Sequence, residues 1–116
     1  MDQIKKRIVV GAAGASGLPL LYDCLRIIRE ADNWESLLIL SDSAKLTLRH
    51  ETDLELEEIY GLADQVFEPE EIGAGPASGS FRTEGMLIVP CSMKTLAGIH
   101  SGYADNLLLR AADVTL

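Results

Sequence analysis

Three short apolar runs constrain the fold more than anything else in this chain. Each run ends abruptly in small or hydroxyl residues, and each ending opens a segment with helical spacing. Ile8-Val9-Val10 stops at Gly11, Ser36-Leu37-Leu38-Ile39-Leu40 stops at Ser41, and Met86-Leu87-Ile88-Val89 stops at Pro90-Cys91-Ser92. Short β-branched and leucine runs bounded by turn signals read as buried strands. Strands that alternate with helices call for a parallel sheet with right-handed crossovers, hence an α/β fold. In such sheets ligands bind at the carboxyl ends of the strands, where all three polar clusters lie.

Strands are expected over residues 4–10, 36–40 and 86–89. Leu18, Leu21, Leu25 and Ile28 repeat at helical spacing over 18–31, with Ser16 as the expected N-cap. A second helix runs from Ser41-Asp42 to about Glu51, and a short one covers 55–61. Residues 63–77 are rich in Gly, Pro and acid and read as a long surface loop, which in a small domain is more often functional than idle. A helix begins at Met93, another spans 103–112, and 113–116 reads as the lead-in to a further strand. A three-strand parallel sheet has two raw edges. A C-terminally truncated chain, or one that depends on oligomerisation, is therefore expected.

With 116 residues, one domain is the expectation. The net charge of −8 argues against nucleic acid, whose binding rests on Lys and Arg neutralising phosphates. No apolar run is long enough to cross a bilayer. The basic start Met1 to Arg7 is followed only by a short strand-like run, so a secretory signal is not expected. Two cysteines make no disulfide framework, and a reduced cytoplasmic setting fits them. His50 and His100 have no metal-ligand spacing with any Cys or carboxylate cluster, so no metal site is expected.

The glycine cluster at 11–17 reads G-x-x-G-x-x-G, neither the dinucleotide fingerprint nor a P-loop. Gly11 and Gly14 allow a tight turn and close backbone approach. Ser16 and Gly17 then sit at a helix N-terminus, where N–H groups and the dipole favour an anion. The same pattern also serves a plain strand-to-helix turn. Ser41 is a helix cap or a ligand contact in the crevice. Glu51 is a solvated carboxylate at a helix end or a proton-transfer group. Ser92 and Thr95, three apart on one first turn, either cap the helix or hydrogen-bond a phosphate or a ring edge. Cys91 reads as a small packing residue, Met93 and Leu96 as core, and Arg82 as surface or interface. Arg110 follows Leu107-Leu108-Leu109 and reads as a buried cation, paired with Asp113 or ligating an anion.

Several blocks together resemble the UbiX/Pad flavin prenyltransferases. They are Gly14-Ala15-Ser16-Gly17, Ser41 with Glu51-Thr52 ten residues on, Ala77-Ser78-Gly79-Ser80-Phe81-Arg82-Thr83, Pro90-Cys91-Ser92-Met93-Lys94-Thr95-Leu96-Ala97, and Asn106-Leu107 through Arg110-Ala111-Ala112-Asp113-Val114. Order and spacing agree along almost the whole chain. The Ser-Gly-Ser-Phe-Arg-Thr-x-Gly-Met form is most similar to the branch of the family named after phenolic-acid decarboxylases of the hydroxybenzoate or vanillate type.

The resemblance implies a Rossmann-like three-layer flavoprotein fold, with residues 1–116 as one FMN-binding domain. It implies a homo-oligomer built from trimers, usually a dodecamer. Reduced FMN is the implied substrate. Dimethylallyl phosphate gives its prenyl group to flavin N5, and a second bond, to C6, closes a fourth ring. The prenylated FMN then serves a UbiD-type decarboxylase. Carried over by position, Gly14, Ala15 and Ser16 match a first FMN-binding segment, Ser41 a second, and Ser92, Met93, Lys94 and Thr95 a third. Ser16 and Glu51 match groups implicated in proton handling. Ser80 and Arg110 match positions lining the prenyl-phosphate pocket. Family members continue past the position of Leu116 with further FMN and prenyl-phosphate ligands. Two other readings stay open: a non-catalytic FMN-binding or assembly fragment, and a flavin-dependent cysteine decarboxylase with His50 as its nearest candidate histidine.

Overall fold

Segments too apolar to face water on either side end up in the middle of a sheet covered on both faces. The computed structural model describes residues 5–14, 16–78 and 82–116. In chain order its elements are β1 (Lys6–Ala12), α1 (Leu18–Glu30), β2 (Trp34–Leu40), α2 (Asp42–Glu51), α3 (Leu56–Leu62) and β3 (Gln65–Phe67). A 3₁₀ turn (Gly75–Ala77), β4 (Gly85–Ile88), α4 (Met93–Ser101) and α5 (Leu107–Thr115) follow. Among the described residues the sheet has four strands in the order β3-β2-β1-β4, all parallel. Lys6 stands opposite Trp34 and Ala12 opposite Leu40, while Ile8 to Gly11 pair with Gly85 to Ile88 on the other side.

The two faces carry two cores. On one, Val10, Ala12, Leu38 and Leu40 meet Leu18, Leu21 and Leu25 of α1, Ala44 and Leu48 of α2, and Ile59 of α3. On the other, Val9, Leu37 and Ile39 meet Leu107, Leu108 and Ala111 of α5. Alternate side chains of β2 therefore enter different cores, which is why its run is apolar without alternation. This is the expected three-layer α/β flavoprotein arrangement.

Four expectations need correction. First, residues 63–77 hold β3 as well as loop. Ser36, fully buried in β2, donates its N–H to Asp64 Oδ2 at 2.8 Å, and its hydroxyl accepts the Asp64 N–H at 3.3 Å. That reciprocal pair draws the chain into the sheet, so a fourth strand covers β2. Second, residues 113–116 do not start a strand. Asn106 Oδ1 caps α5 by accepting the Leu109 N–H at 2.9 Å, and the helix continues to Thr115, whose hydroxyl donates to the Ala111 carbonyl at 2.7 Å. Burial of Leu107, Leu108, Ala111 and Ala112 on one face overrides the strand preference of Val114-Thr115. Residues 103–106 precede this helix instead of belonging to it.

Third, Ser16 is not the cap of α1. Gly17 occupies that position at φ 110°, left-handed backbone that glycine adopts without a steric penalty, and Ser16 is exposed. Fourth, Gly11 belongs to β1, not to the turn. A Cβ there would stand 3.2 Å from Met86 Cε and 3.3 Å from Leu108, so the glycine lets β4 and α5 pack closely.

Candidate functional site

The carboxyl ends of β1, β2 and β4 are stitched together by backbone hydrogen bonds. Ser41 donates its N–H to Ala12 O at 3.0 Å, Ala13 to Pro90 O at 2.9 Å, and Val89 to Gly11 O at 2.9 Å. The three polar clusters thus meet at one end of the sheet. A pocket of about 260 Å³ opens there between the first turns of α2 and α4 and the start of α5. Ser41 and Ser43 line it from α2, Ser92, Lys94 and Thr95 from α4, and Asn106 from α5.

Each of these helices presents its N-terminus to the pocket. Ser41 Oγ accepts the Ala44 N–H at 3.0 Å and lies 3.2 Å from Ser43 Oγ. Ser92 Oγ accepts the Thr95 N–H at 3.2 Å and donates to Thr95 Oγ1 at 3.0 Å. First-turn N–H groups have no intrahelical acceptor, and the dipole adds partial positive charge. Three such ends with four hydroxyls and the Lys94 ammonium form a setting for an anion. Gly14 packs against Ser43, one of the residues that line the pocket. A Cβ at Gly14 would stand 2.6 Å from both Cβ and Oγ of Ser43 and 3.0 Å from its carbonyl carbon. The β1–α1 turn therefore rests directly on α2.

A larger cavity, about 520 Å³, is lined by Arg82, Thr83, Gly85 and Thr115. It lies at the amino end of β4, the wrong end of a parallel sheet for ligand binding, so the smaller pocket is the candidate site.

Over residues 1–116 the chain matches the Flavoprotein family. It belongs to that family. A probable UbiX-like flavin prenyltransferase of Sedimentibacter hydroxybenzoicus is 51% identical over 110 residues, which are 95% of this chain and 58% of that protein. The dodecameric FMN-dependent UbiX-like decarboxylase of Escherichia coli O157:H7 superposes with a TM-score of 0.90 at 48% identity, over 93% of this chain and 58% of that one. A UbiX protein solved in complex with FMN and dimethylallyl pyrophosphate gives a TM-score of 0.91 at 45% identity, over 95% of this chain and 58% of that one. This flavoprotein chain thus spans little more than half the length of these relatives, and within the family it is similar to the UbiX-like proteins.

The structure brings Gly14, Ser41, Ser92, Lys94 and Thr95 together. Met93 lies at the start of α4 but is 80% exposed, pointing away from any core. Ala15 and Ser80 lie outside the described residues. Glu51 is not at the pocket of its own chain. It is the exposed last residue of α2, and ten helical residues separate it from Ser41 by about 15 Å. Arg110 is exposed, not the buried cation expected, and makes no ion pair with Asp113 among the described residues. On α5 it stands about 160° around the helix from the buried Leu108.

Ser43, Tyr103, Asp105 and Asn106 also line the pocket, and the sequence reading does not single them out. Asn106 carries a signal: an Asn just before an apolar helical run is an N-cap. A hydrogen bond to Asp105 pushes the Tyr103 phenol above its ordinary range. Burial pushes the Cys91 thiol up as well, which suits a packing residue better than a nucleophile. Among the described residues no group of three or more His, Cys, Asp or Glu is placed to hold a metal ion, and no helix is long and apolar enough to cross a membrane.

Proposed function

We propose that this chain is the FMN-binding part of a flavin prenyltransferase. It acts on reduced FMN, takes the prenyl group from dimethylallyl phosphate, and makes prenylated FMN for a UbiD-type aromatic-acid decarboxylase. The observation that carries this reading is the convergence of the three family-like segments on one anion-suited pocket. Gly14, Ser41, Ser43, Ser92 and Thr95 would hold the FMN phosphate and ribityl chain, and Lys94 adds positive charge. The Gly14 turn fits this role, because it packs on Ser43 and so backs the wall from which Ser41 and Ser43 line the pocket. At about 260 Å³ the pocket is a little below the roughly 300–1,000 Å³ usual for small-molecule sites, so it encloses part of a mononucleotide.

FMN, when bound and reduced, supplies the ring atoms that accept the prenyl group. The protein's part is to fix the phosphate, orient the ring and move protons. Ser16, exposed just ahead of α1, and Glu51 are the proposed proton-handling groups. Ser80 and Arg110 are the proposed prenyl-phosphate contacts. Since Glu51 sits about 15 Å from its own pocket, it serves a site in a second copy of the chain. A trimer-based homo-oligomer, in a reduced cytoplasm, follows from the same reading.

Titration of the purified chain with FMN, read by flavin fluorescence, is expected to saturate. Incubation with reduced FMN and dimethylallyl phosphate is expected to yield a flavin heavier by one prenyl group, read by mass. A folded chain that binds no FMN would overturn the proposal. Binding without product would leave the assembly-fragment reading. Glu51→Gln is expected to leave FMN affinity within about twofold while slowing product formation by about a hundredfold or more, the lower end of acid–base contributions. Unchanged product formation removes Glu51 from the mechanism.

A further inference from the structure

Beyond the hydroxyls that line the pocket, one half-buried group of charges touches neither the pocket nor either core. Lys45 sits one turn into α2, with its N–H donating to the Ser41 carbonyl at 3.1 Å. Its ammonium pairs closely with Glu68 Oε2 and lies 3.7 Å from Asp42. The other Glu68 oxygen, Oε1, accepts the Tyr60 hydroxyl of α3 at 3.3 Å. The next residue, Pro69, is buried, and its carbonyl accepts the Leu107 N–H, the first of α5, at 2.8 Å. Two consecutive residues after β3 thus grip the first turns of two different helices. Both helices wall the pocket, α2 through Ser41 and Ser43, and α5 through Asn106.

We infer that Glu68-Pro69 is a positioning strap: with Lys45 as its anchor on α2, it sets the spacing of the α2 and α5 N-termini and thereby the shape of the anion pocket. The inference rests on the flavin-binding reading only for the ligand used as a probe. Glu68 itself touches no ligand position, so its role runs through Ser41, Ser43 and Asn106. The Glu68 hydrogen bond, opposed by partial burial and aided by Tyr60 and Asp42, raises Lys45 above the ordinary lysine range. A charge-assisted bond of this kind holds a geometry that a neutral contact would not. Nor is the strap a core element, since the apolar clusters close without Glu68 and Lys45. It can be weakened without emptying either core.

The test is Glu68→Gln and Lys45→Met, singly and together, in the full chain. Two readouts are taken: amide exchange at Ala44, Leu107 and Leu109, and FMN affinity. The strap predicts exchange at these first-turn amides about tenfold faster in each variant, with α1 amides such as Leu25 unchanged. It predicts FMN binding about tenfold weaker in each single variant, and no weaker still in the double variant, because both substitutions break one contact. The charge-swapped pair Lys45→Glu with Glu68→Lys is expected to recover most of the affinity. A purely structural role gives a different result: exchange rises at all amides alike and FMN affinity per folded molecule is unchanged, which overturns the inference. So does unchanged exchange at Ala44 and Leu107. If the unaltered chain binds no FMN, the flavin reading falls, and the exchange pattern alone decides the strap.

Discussion

Gly14→Ala is expected to weaken FMN binding by about a hundredfold or more. The added Cβ would meet Cβ and Oγ of Ser43 at 2.6 Å and its carbonyl carbon at 3.0 Å. The hydroxyl could rotate aside, but the Cβ and carbonyl carbon are fixed by the backbone, so the β1–α1 turn or the first turn of α2 must retreat. Overpacking of this kind costs about 1–3 kcal/mol of stability. The larger consequence is local: retreat pulls Ser41 and Ser43 away from Ser92 and Thr95, and the pocket loses its two-sided grip on an anion. A loss of about 2.7 kcal/mol corresponds to a hundredfold in affinity. Two other glycines give a comparison: Gly98, which lines the same pocket, and Gly61, which does not. At Gly98 a Cβ would meet mainly Leu109 methyls, the nearer at 3.1 Å, and at Gly61 it would meet nothing within 4 Å. Both lie in helices, where Ala is favoured over Gly by about 1 kcal/mol. Gly61→Ala is expected to raise the Tm, and Gly98→Ala to change it little. Isothermal titration with FMN and thermal melts of the three variants separate the cases. Gly14→Ala binding FMN like the unaltered chain would remove the close approach from the account of the site.

The parts legible in the sequence are those that local chemistry decides. β2 is legible because Leu37-Leu38-Ile39-Leu40 tolerates no other environment, and α2 because Ser41 is a strong cap whose Oγ accepts the Ala44 N–H. The ends at Ser41 and Ser92 are legible as polar clusters closing apolar runs, and they are the walls of the pocket. The parts that are not legible depend on contacts remote in sequence. Nothing local marks Gln65-Val66-Phe67 as a strand; the buried Ser36–Asp64 exchange, 28 residues apart, places it there. Residues 113–116 read as strand from Val114-Thr115, but packing of α5 on Leu37 and Ile39 carries the helix through them. Arg110 reads as buried because its neighbours are, yet it is exposed, about 160° around the helix from the buried Leu108. The Lys45–Glu68 pair is invisible for the same reason, since its partners are 23 residues apart.

Leu38→Ala is expected to be among the most damaging single truncations in the chain. Leu38 is fully buried at the middle of β2, flanked by β1 and β3, in the core shared with α1, α2 and α3. Truncating such a leucine costs about 2–5 kcal/mol, because the cavity collapses only partly. A small domain has about 5–15 kcal/mol in total. The Tm is therefore expected to fall by an amount on the order of 10–20 °C. Leu37→Ala should cost a similar amount although it empties the opposite core, since Leu37 is also fully buried, against α5. A sheet covered on one face only would give unequal losses, so equality tests the three-layer architecture directly. Leu87, the comparable leucine on β4, is 37% exposed on an edge strand. Its truncation is expected to cost less than about 1.5 kcal/mol, as incomplete burial removes less apolar surface from water. Urea melts of the three variants read these differences. Their effect on FMN binding follows from position: β2 leads directly into Ser41, so loosening its middle frees the α2 wall of the pocket. Leu38→Ala is therefore expected to weaken binding even at temperatures where the chain remains folded, whereas Leu87→Ala is not.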